Sequence, residues 1–325
     1  MNILVANNQL IKTGGTENYT YAIIVELLRL GHRVEYFTFQ KGEISDKIES
    51  LGVRFKSKRI YDLIIANHNT TIETLHKNGC IIQTCHGITP ALEQPSERAD
   101  SYVSVSYEVQ EYLRKKNIES ILINNGIDCT RFIDKSEIHN NLTSVLSLCQ
   151  SEEANQFISD CCNEINVTFR KINKFIDNLW DIEDIINQSD LVIGIGRSVY
   201  DAMACGRTII SYDNRRYSRD FGDGYLNKEN IELSLKFNCS GRGTQKTFTK
   251  EAFIRELRKY NKSDGAFMRE FALQHLNIQS SVKHYLQIYS PTERIVIKVK
   301  KFLTLSFLYG KYILMSKLKR FKKRN

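Results

Sequence analysis

Two glycine-containing loops in the sequence stand where a chain could hold an anion. Gly14-Gly15 ends the loop that follows the apolar run at 3–6 and precedes a segment with helical spacing, and Gly194 and Gly196 separate the apolar run at 191–193 from a second such segment. Glycine lets backbone N–H groups approach a ligand closely, and a helix N-terminus favours negative charge. Both loops therefore predict phosphate binding, although a plain strand-to-helix turn explains Gly14-Gly15 equally well.

The second loop is not a dinucleotide-binding fingerprint. Val199 stands where that motif has its third glycine, and no acidic residue ends a following strand at the required distance. The loop still places Gly196 and Ser198 at a helix N-terminus, with Arg197 beside them to neutralise a diphosphate. Asp201 follows one turn later, where a carboxylate could accept hydrogen bonds from ribose hydroxyls. The alternative is a capped helix whose Asp201 is solvated.

Two further polar residues stand next to an apolar run or between glycines, and their position alone assigns them no role. His86 follows the apolar run 80–84, and Arg242 lies between two glycines. Taken alone, His86 would as readily be a structural histidine. The chain has eight cysteines with no C-x-x-C spacing, which predicts buried, reduced thiols and a reducing cytoplasm. A metal site at Cys85-His86 would lack companion ligands at zinc spacing.

The elements that must position these residues alternate between strand and helix. In the first half we predict a helix at 16–30 and strands at 2–6, 33–39, 62–66, 80–84, 102–106 and 120–124. The pattern restarts near residue 140, with a strand at 144–149 and helices at 151–164 and 181–187. Short apolar runs separated by helices predict two doubly wound parallel sheets, which bind ligands at the carboxyl ends of their strands.

Charge is concentrated at one end of the 325-residue chain. The net charge is +9, and residues 291–325 contain 11 Lys/Arg against the single Glu293, so residues 1–290 carry 35 basic and 36 acidic side chains, a balance of −1. A neutral body argues against nucleic-acid binding. No signal peptide is expected at the start, and no apolar stretch reaches the roughly 18–20 residues of a spanning helix.

The order of these motifs resembles that of the retaining glycosyltransferases of the GT-B fold, group 1 or family 4 type. The matching stretches are Gly14 to Glu17, Leu30 to Val34, His86-Gly87, Asn125 to Asp128 with Phe132, Asp201 to Gly206, and Asn277 to Tyr289. The resemblance implies an α/β protein whose two Rossmann-like domains face each other across a cleft. It divides the chain into an acceptor-side domain (1–135), a nucleotide-sugar domain (136–275), a helix returning to the first domain (276–290) and a basic amphipathic helical tail (291–325).

The resemblance also implies a reaction and roles for the candidate residues. A sugar would move from a nucleotide-diphosphate sugar to an acceptor with retention of configuration, without a metal or cofactor, since the nucleotide sugar is a co-substrate. His86 would contact the transferred sugar, and Arg197 would stabilise the departing diphosphate, which makes these two the catalytic candidates. The donor-binding candidates are Gly14, Gly15, Gly194, Gly196, Ser198, Asp201 and Arg242.

Two departures from that family bear on activity. Its paired acidic residues map to Ile193 and Asp201, and isoleucine cannot replace the first of them. The loop at 150–153 also lacks the family's Arg and Lys, so Arg197, Arg207 or Arg242 would have to serve instead. The alternatives are a catalytically inactive homologue that acts as a binding subunit and a sugar-nucleotide epimerase of the same fold.

The basic tail suits a membrane surface. Its centre, FLTLSFLYGKYILM, has one charge in 14 residues and is flanked by basic clusters, as in helices that lie in an anionic leaflet. We therefore expect peripheral attachment to the inner face of the membrane and a lipid-linked acceptor of surface polysaccharide or glycolipid synthesis. The alternative is a helix packed on the body with a solvated basic end.

Overall fold

The computed structural model describes residues 1–173, 177, 179–215 and 219–289. It divides into a unit of Met1–Val282 and a second unit that begins at Lys283. The basic tail predicted at 291–325 lies outside the described residues.

The first sheet has seven parallel strands in the order β5-β3-β1-β6-β7-β8-β9. Its strands and helices, with the small β2-β4 pair, are β1 (Asn2–Ala6), β2 (Gln9–Leu10), α1 (Gly15–Arg29), β3 (Arg33–Phe37), β4 (Gln40–Lys41), α2 (Glu43–Ser50), β5 (Arg54–Phe55), β6 (Leu63–Ala66), α3 (Asn69–Leu75), β7 (Cys80–Cys85), a 3-10 turn (Ala91–Glu93), β8 (Ser101–Ser104), α4 (Tyr107–Lys115) and β9 (Ile121–Leu122). The central strand β6 is apolar throughout because both faces of the sheet are buried there, as at the adjacent residues Leu63 and Ile64.

The second sheet has five strands in the order β11-β10-β12-β13-β14. The second half of the described chain contains β10 (Ser144–Ser147), α5 (Glu152–Glu164), β11 (Thr168–Lys171), α6 (Ile182–Ile186), β12 (Leu191–Gly194), α7 (Arg197–Ala204), β13 (Thr208–Tyr212), β14 (Gly222–Leu226), α8 (Ile231–Lys236), α9 (Lys250–Leu257), α10 (Lys262–His275) and α11 (Ile278–Ile288). One strand departs from the predicted parallel sheet, because β14 runs antiparallel to β13 at the edge.

The predicted fold class is confirmed, since the protein is α/β with two sheets built mainly from parallel strands. The strand predicted at 102–106 ends earlier, at Ser104, because Ser106 begins the next element: its side chain accepts a hydrogen bond from the Val109 N–H and caps α4. None of the eight cysteines, all of which lie within the described residues, forms a disulfide bond, and all but Cys80 are buried. Of the helices described, none has the length and apolar character needed to cross a bilayer.

Candidate active site

A cleft of about 290 Å³ lies between the two halves and is lined by loops that follow strands of both sheets. This is where doubly wound sheets bind their ligands. Eight of the nine predicted site residues line it: Gly14, Gly15, His86, Gly196, Arg197, Ser198, Asp201 and Arg242. The ninth, Gly194, is buried behind Ser198, where an added Cβ would approach the Ser198 Cβ to 2.9 Å. Gly194 therefore lets α7 approach β12 closely and does not line the cleft.

The Gly14-Gly15 loop already holds a carboxylate. α1 begins at Gly15 with Gly14 as its N-cap, and no side chain caps it. A side chain at position 14 would collide with Glu17 Oε2, so the Glu17 carboxylate lies against the loop backbone. Glu17 therefore places a negative charge at the helix end where we predicted the donor diphosphate, and that role of Gly14 and Gly15 stays a prediction.

The turn between β12 and α7 is only two residues long. Gly196 has φ +60° and ψ −124°, a conformation that side chains oppose, and its N–H donates to the Cys239 carbonyl at 3.2 Å. α7 begins at the next residue without a side-chain cap. The tight turn thus brings the start of α7, with Arg197 and Ser198, to the cleft.

Arg197 and Asp201 are paired with each other. Arg197 Nε donates to Asp201 Oδ1 at 2.9 Å, and Arg197 Nη1 donates to the Gly126 carbonyl at 3.3 Å. Their side chains are 13% and 8% exposed. Burial raises the pKa of Asp201, and the Arg197 guanidinium opposes that rise. Arg197, which is predicted to bind the diphosphate, and Asp201, which is predicted to bind the ribose, therefore form one coupled ion pair.

Arg242 spans the two halves. Its Nε and Nη2 donate to Glu108 Oε1 and Oε2 at 2.7 and 2.5 Å, a bidentate pair between the loop after α8 and the first turn of α4. Arg242 also lines the cleft. A guanidinium predicted to bind the donor is thus held across the cleft by a carboxylate of the other half.

Arg215 is a cleft residue that the sequence prediction missed. It follows the end of β13, and its Nε donates to Asp213 Oδ2 at 2.6 Å. Asp213 is fully buried and also accepts hydrogen bonds from the backbone of Gln150 (3.1 Å) and Ser151 (3.4 Å). Arg215 therefore lies beside the loop that lacks the expected basic residues. Its position after a parallel strand is the signal that could have identified it.

Two residues on which the sequence interpretation focused lie in the core. Arg207 is 1% exposed and is held by Asp134 and by backbone carbonyls, so it does not reach the cleft. Ile193 is fully buried on β12, in a cluster that includes Val145 and Ile210. The Ile193 side chain therefore packs in the core and does not line the cleft.

His86 follows β7 and has a neutral ring. Its Nε2 lies 3.1 Å from Asn67 Oδ1, and the Asn67 amide donates to Thr20 Oγ1 at 2.8 Å, which orients the Asn67 oxygen towards the ring. The imidazole proton is therefore on Nε2. Burial lowers the pKa of His86 to about 3, so the ring carries no charge at neutral pH.

Glu93 is the second residue that the sequence prediction missed. It ends the 3-10 turn Ala91–Glu93, lines the cleft and lies against the Cα of Gly87, where an added Cβ would be 2.5 Å from Glu93 Oε2. Its carboxyl makes no hydrogen bond or ion pair to any residue that the structure describes. Burial and the Glu17 carboxylate raise the pKa of Glu93 to about 7. No sequence motif marks this glutamate.

No family model and no curated protein matches the chain, whereas solved structures do. A glycosyltransferase from Rickettsia africae has a TM-score of 0.62 at 12% identity, over 89% of this chain and 97% of that one. Anabaena Alr3699/HepE, in complex with UDP and glucose, has a TM-score of 0.59 at 14% identity, over 90% and 100%. A putative UDP-N-acetylglucosamine 2-epimerase from Listeria monocytogenes has a TM-score of 0.51 at 11% identity, over 88% and 94%.

At these identities the likeness is one of fold. It confirms the predicted GT-B arrangement, two Rossmann-like domains that face each other across a cleft. The solved neighbours include GT-B glycosyltransferases. Membership of the retaining family 4 type stays a prediction.

Proposed function

We propose that the protein is a glycosyltransferase that moves a sugar from a nucleotide-diphosphate sugar to an acceptor. The observation that carries this proposal is the group of arginines on one cleft wall. Arg197, Arg215 and Arg242 all line the cleft from the second half, beside the uncapped start of α7. Guanidinium groups with a helix N-terminus form a site for a diphosphate, and a diphosphate stabilised in this way is a good leaving group.

The proposed reaction needs no metal or cofactor. The acceptor hydroxyl attacks the anomeric carbon, the bond from that carbon to the diphosphate oxygen breaks, and the departing phosphate takes the hydroxyl proton. Retention of configuration and the family 4 type are finer parts of the proposal, supported by the order of the motifs. Asp201 would accept hydrogen bonds from the ribose, and the neutral His86 would contact the sugar.

UDP is the first donor nucleotide to test, because the neighbour HepE was solved with UDP and glucose. We expect the full chain to bind at least one of UDP, GDP, ADP and dTDP in calorimetry and to release that nucleoside diphosphate from its sugar nucleotide when an acceptor is present. Arg197→Ala should weaken both binding and turnover. Unchanged affinity and turnover in this variant would contradict the role of Arg197, and a protein that binds none of the four would contradict the proposal.

A lipid-linked acceptor and attachment to the inner, cytoplasmic face of a membrane are proposed from the sequence of 291–325 alone. Removing residues after 290 should abolish co-sedimentation with anionic phosphatidylserine vesicles and leave the thermal unfolding of the body unchanged. Neutral phosphatidylcholine vesicles are the control. Unchanged sedimentation of the shortened protein with anionic vesicles would contradict this part of the proposal.

A sugar-nucleotide epimerase is the second candidate. It is favoured by the Listeria neighbour and by the Glu93 carboxyl, since epimerases need acid–base groups in the cleft. Product analysis separates the candidates: an epimerase converts the sugar nucleotide without acceptor and keeps the nucleotide attached, whereas a transferase releases the nucleoside diphosphate. An inactive binding subunit would bind the donor and do neither.

A further inference from the structure

The two walls of the cleft differ in their cations. The second-half wall carries three arginines, each paired with a carboxylate, whereas the described first-half residues that line the cleft include no Lys or Arg. The imidazole of the first-half wall, His86, is neutral at pH 7. The ionisable carboxyl of that wall is Glu93, and Glu17 faces it from the start of α1. An anionic diphosphate is therefore accommodated on one side of the cleft and disfavoured on the other.

The first-half wall also has hydrogen-bond acceptors without donors. Asn18 Oδ1 is buried and accepts no hydrogen bond from the described residues. The Glu93 carboxyl has no hydrogen-bond partner among them either. A buried acceptor without a donor, such as Asn18 Oδ1, costs free energy, and the partly exposed Glu93 carboxyl can also accept a hydrogen bond, so a ligand that brings O–H or N–H groups to this wall is favoured.

From these two observations, and resting on the proposed function, we infer that the transferred group is a neutral or amino sugar whose O–H or N–H groups hydrogen-bond to Glu93 and Asn18, and that this wall discriminates against uronic acids and other anionic sugars. A uronate would add a third carboxylate beside Glu93 and Glu17, with no cation on the same wall to compensate. The sugar thus occupies the acidic side of the cleft and the diphosphate the basic side.

The test compares donors that share a nucleotide and differ in one carboxylate. With the full chain at pH 8, we expect UDP-glucose to bind at least about tenfold more tightly than UDP-glucuronate, which corresponds to one strong unfavourable charge contact. If guanosine is the nucleotide that binds, GDP-mannose and GDP-mannuronate replace this pair. Equal affinity for the two sugars overturns the inference.

Variants assign the discrimination to Glu93. Glu93→Gln keeps the size of the side chain and removes its charge, so the preference should fall to within about threefold, mainly through tighter glucuronate binding. Glu97→Gln, in the same loop but exposed and outside the cleft lining, should keep the wild-type preference. If Glu93→Gln leaves the preference for glucose over glucuronate unchanged, the inference is overturned. This holds even if the protein binds the nucleotide and so supports the proposed function.

A pH series tests the same inference without a variant. The groups around Glu93 are Glu17 on α1, and Cys85 and His86 at the end of β7; the pKa of Cys85 is about 12 and that of His86 about 3, so neither titrates between pH 6 and 8. Protonation of Glu93 at pH 6 should reduce the preference for glucose over glucuronate relative to pH 8. A preference that is the same at both pH values overturns the inference. If none of the nucleoside diphosphates binds, the proposed function itself is overturned.

Discussion

At the scale of single residues, Glu93 links the site to the stability of the protein. Its pKa rises from 4.5 to about 7 on folding, so the folded protein holds the proton more tightly than the unfolded chain does. The contribution of this bound proton to the free energy of unfolding is complete below pH 4.5 and is lost as the pH rises through 7. Above pH 7, where Glu93 is ionised, the pKa shift lowers the free energy of unfolding by up to about 3 kcal/mol.

Glu93→Gln removes this cost. We expect the variant to be more stable than the wild type at pH 8 by about 1–3 kcal/mol, with a gap that shrinks towards pH 5, because both proteins are then neutral at this position. Chemical denaturation at pH 5, 6, 7 and 8 measures it, with Glu97→Gln as the control. A gap that does not change with pH would show that the Glu93 carboxylate is not destabilised in the folded state.

Arg215 gives a second prediction at this scale. Arg215→Ala should weaken the binding of UDP by about ten- to a hundredfold, because a hydrogen bond to a charged group contributes about 1.5–3 kcal/mol. Binding of uridine, which has no phosphate, should not change. Arg170→Ala, at an exposed position on β11, serves as the control. Equal losses for UDP and uridine would indicate a structural role for Arg215.

At the scale of elements, loops that follow strands position the site, and buried polar groups fix those loops. Asp223, on β14, accepts hydrogen bonds from Gly241 N (3.2 Å), Ser234 Oγ (2.5 Å) and Thr244 Oγ1 (2.9 Å). Gly241 has φ +74°, and a Cβ there would be 2.5 Å from the Gly222 nitrogen. These contacts place Arg242 at the cleft.

The Arg242–Glu108 pair competes with any diphosphate that binds Arg242. Glu108→Gln should therefore raise the affinity for nucleoside diphosphate severalfold, because the guanidinium no longer has to leave a carboxylate. Glu111→Gln, on the same helix and paired with the exposed Arg114, is the control. The gain should disappear in the Glu108→Gln, Arg242→Ala double variant. A loss of affinity in Glu108→Gln alone would show that the pair supports the site instead of competing with its ligand.

The elements also show what the sequence can and cannot predict. Periodicity located most strands because it is a local signal, and the glycine loops together with the resemblance in motif order located the eight of nine predicted site residues that line the cleft. Glu93 and Arg215 were missed because their relevance depends on where the loops meet in space. The burial of Ile193 on β12 agrees with the prediction that this isoleucine does not replace the first acidic residue of the pair.

At the scale of the whole molecule, the two halves meet around the chain's single tryptophan. The Trp180 ring is edge-on to Tyr21 of α1, with centroids 4.9 Å apart, and the Lys47 ammonium of α2 lies 4.6 Å from its centroid. The Arg131 guanidinium is 4.1 Å from the same ring and forms a bidentate pair with Glu183 of α6. Trp180 therefore contacts helices of the first half and, through Arg131, a helix of the second.

This position makes Trp180 a reporter of movement between the halves. Domains that meet at a polar interface move relative to one another, and a ligand that contacts both walls favours the closed arrangement. Titration with the nucleotide that binds should shift the tryptophan emission in a saturable way, with the same dissociation constant as calorimetry gives. Trp180→Phe should remove the signal and keep the affinity. Calorimetric binding without any change in emission would show that the halves keep their arrangement at this contact when the donor binds.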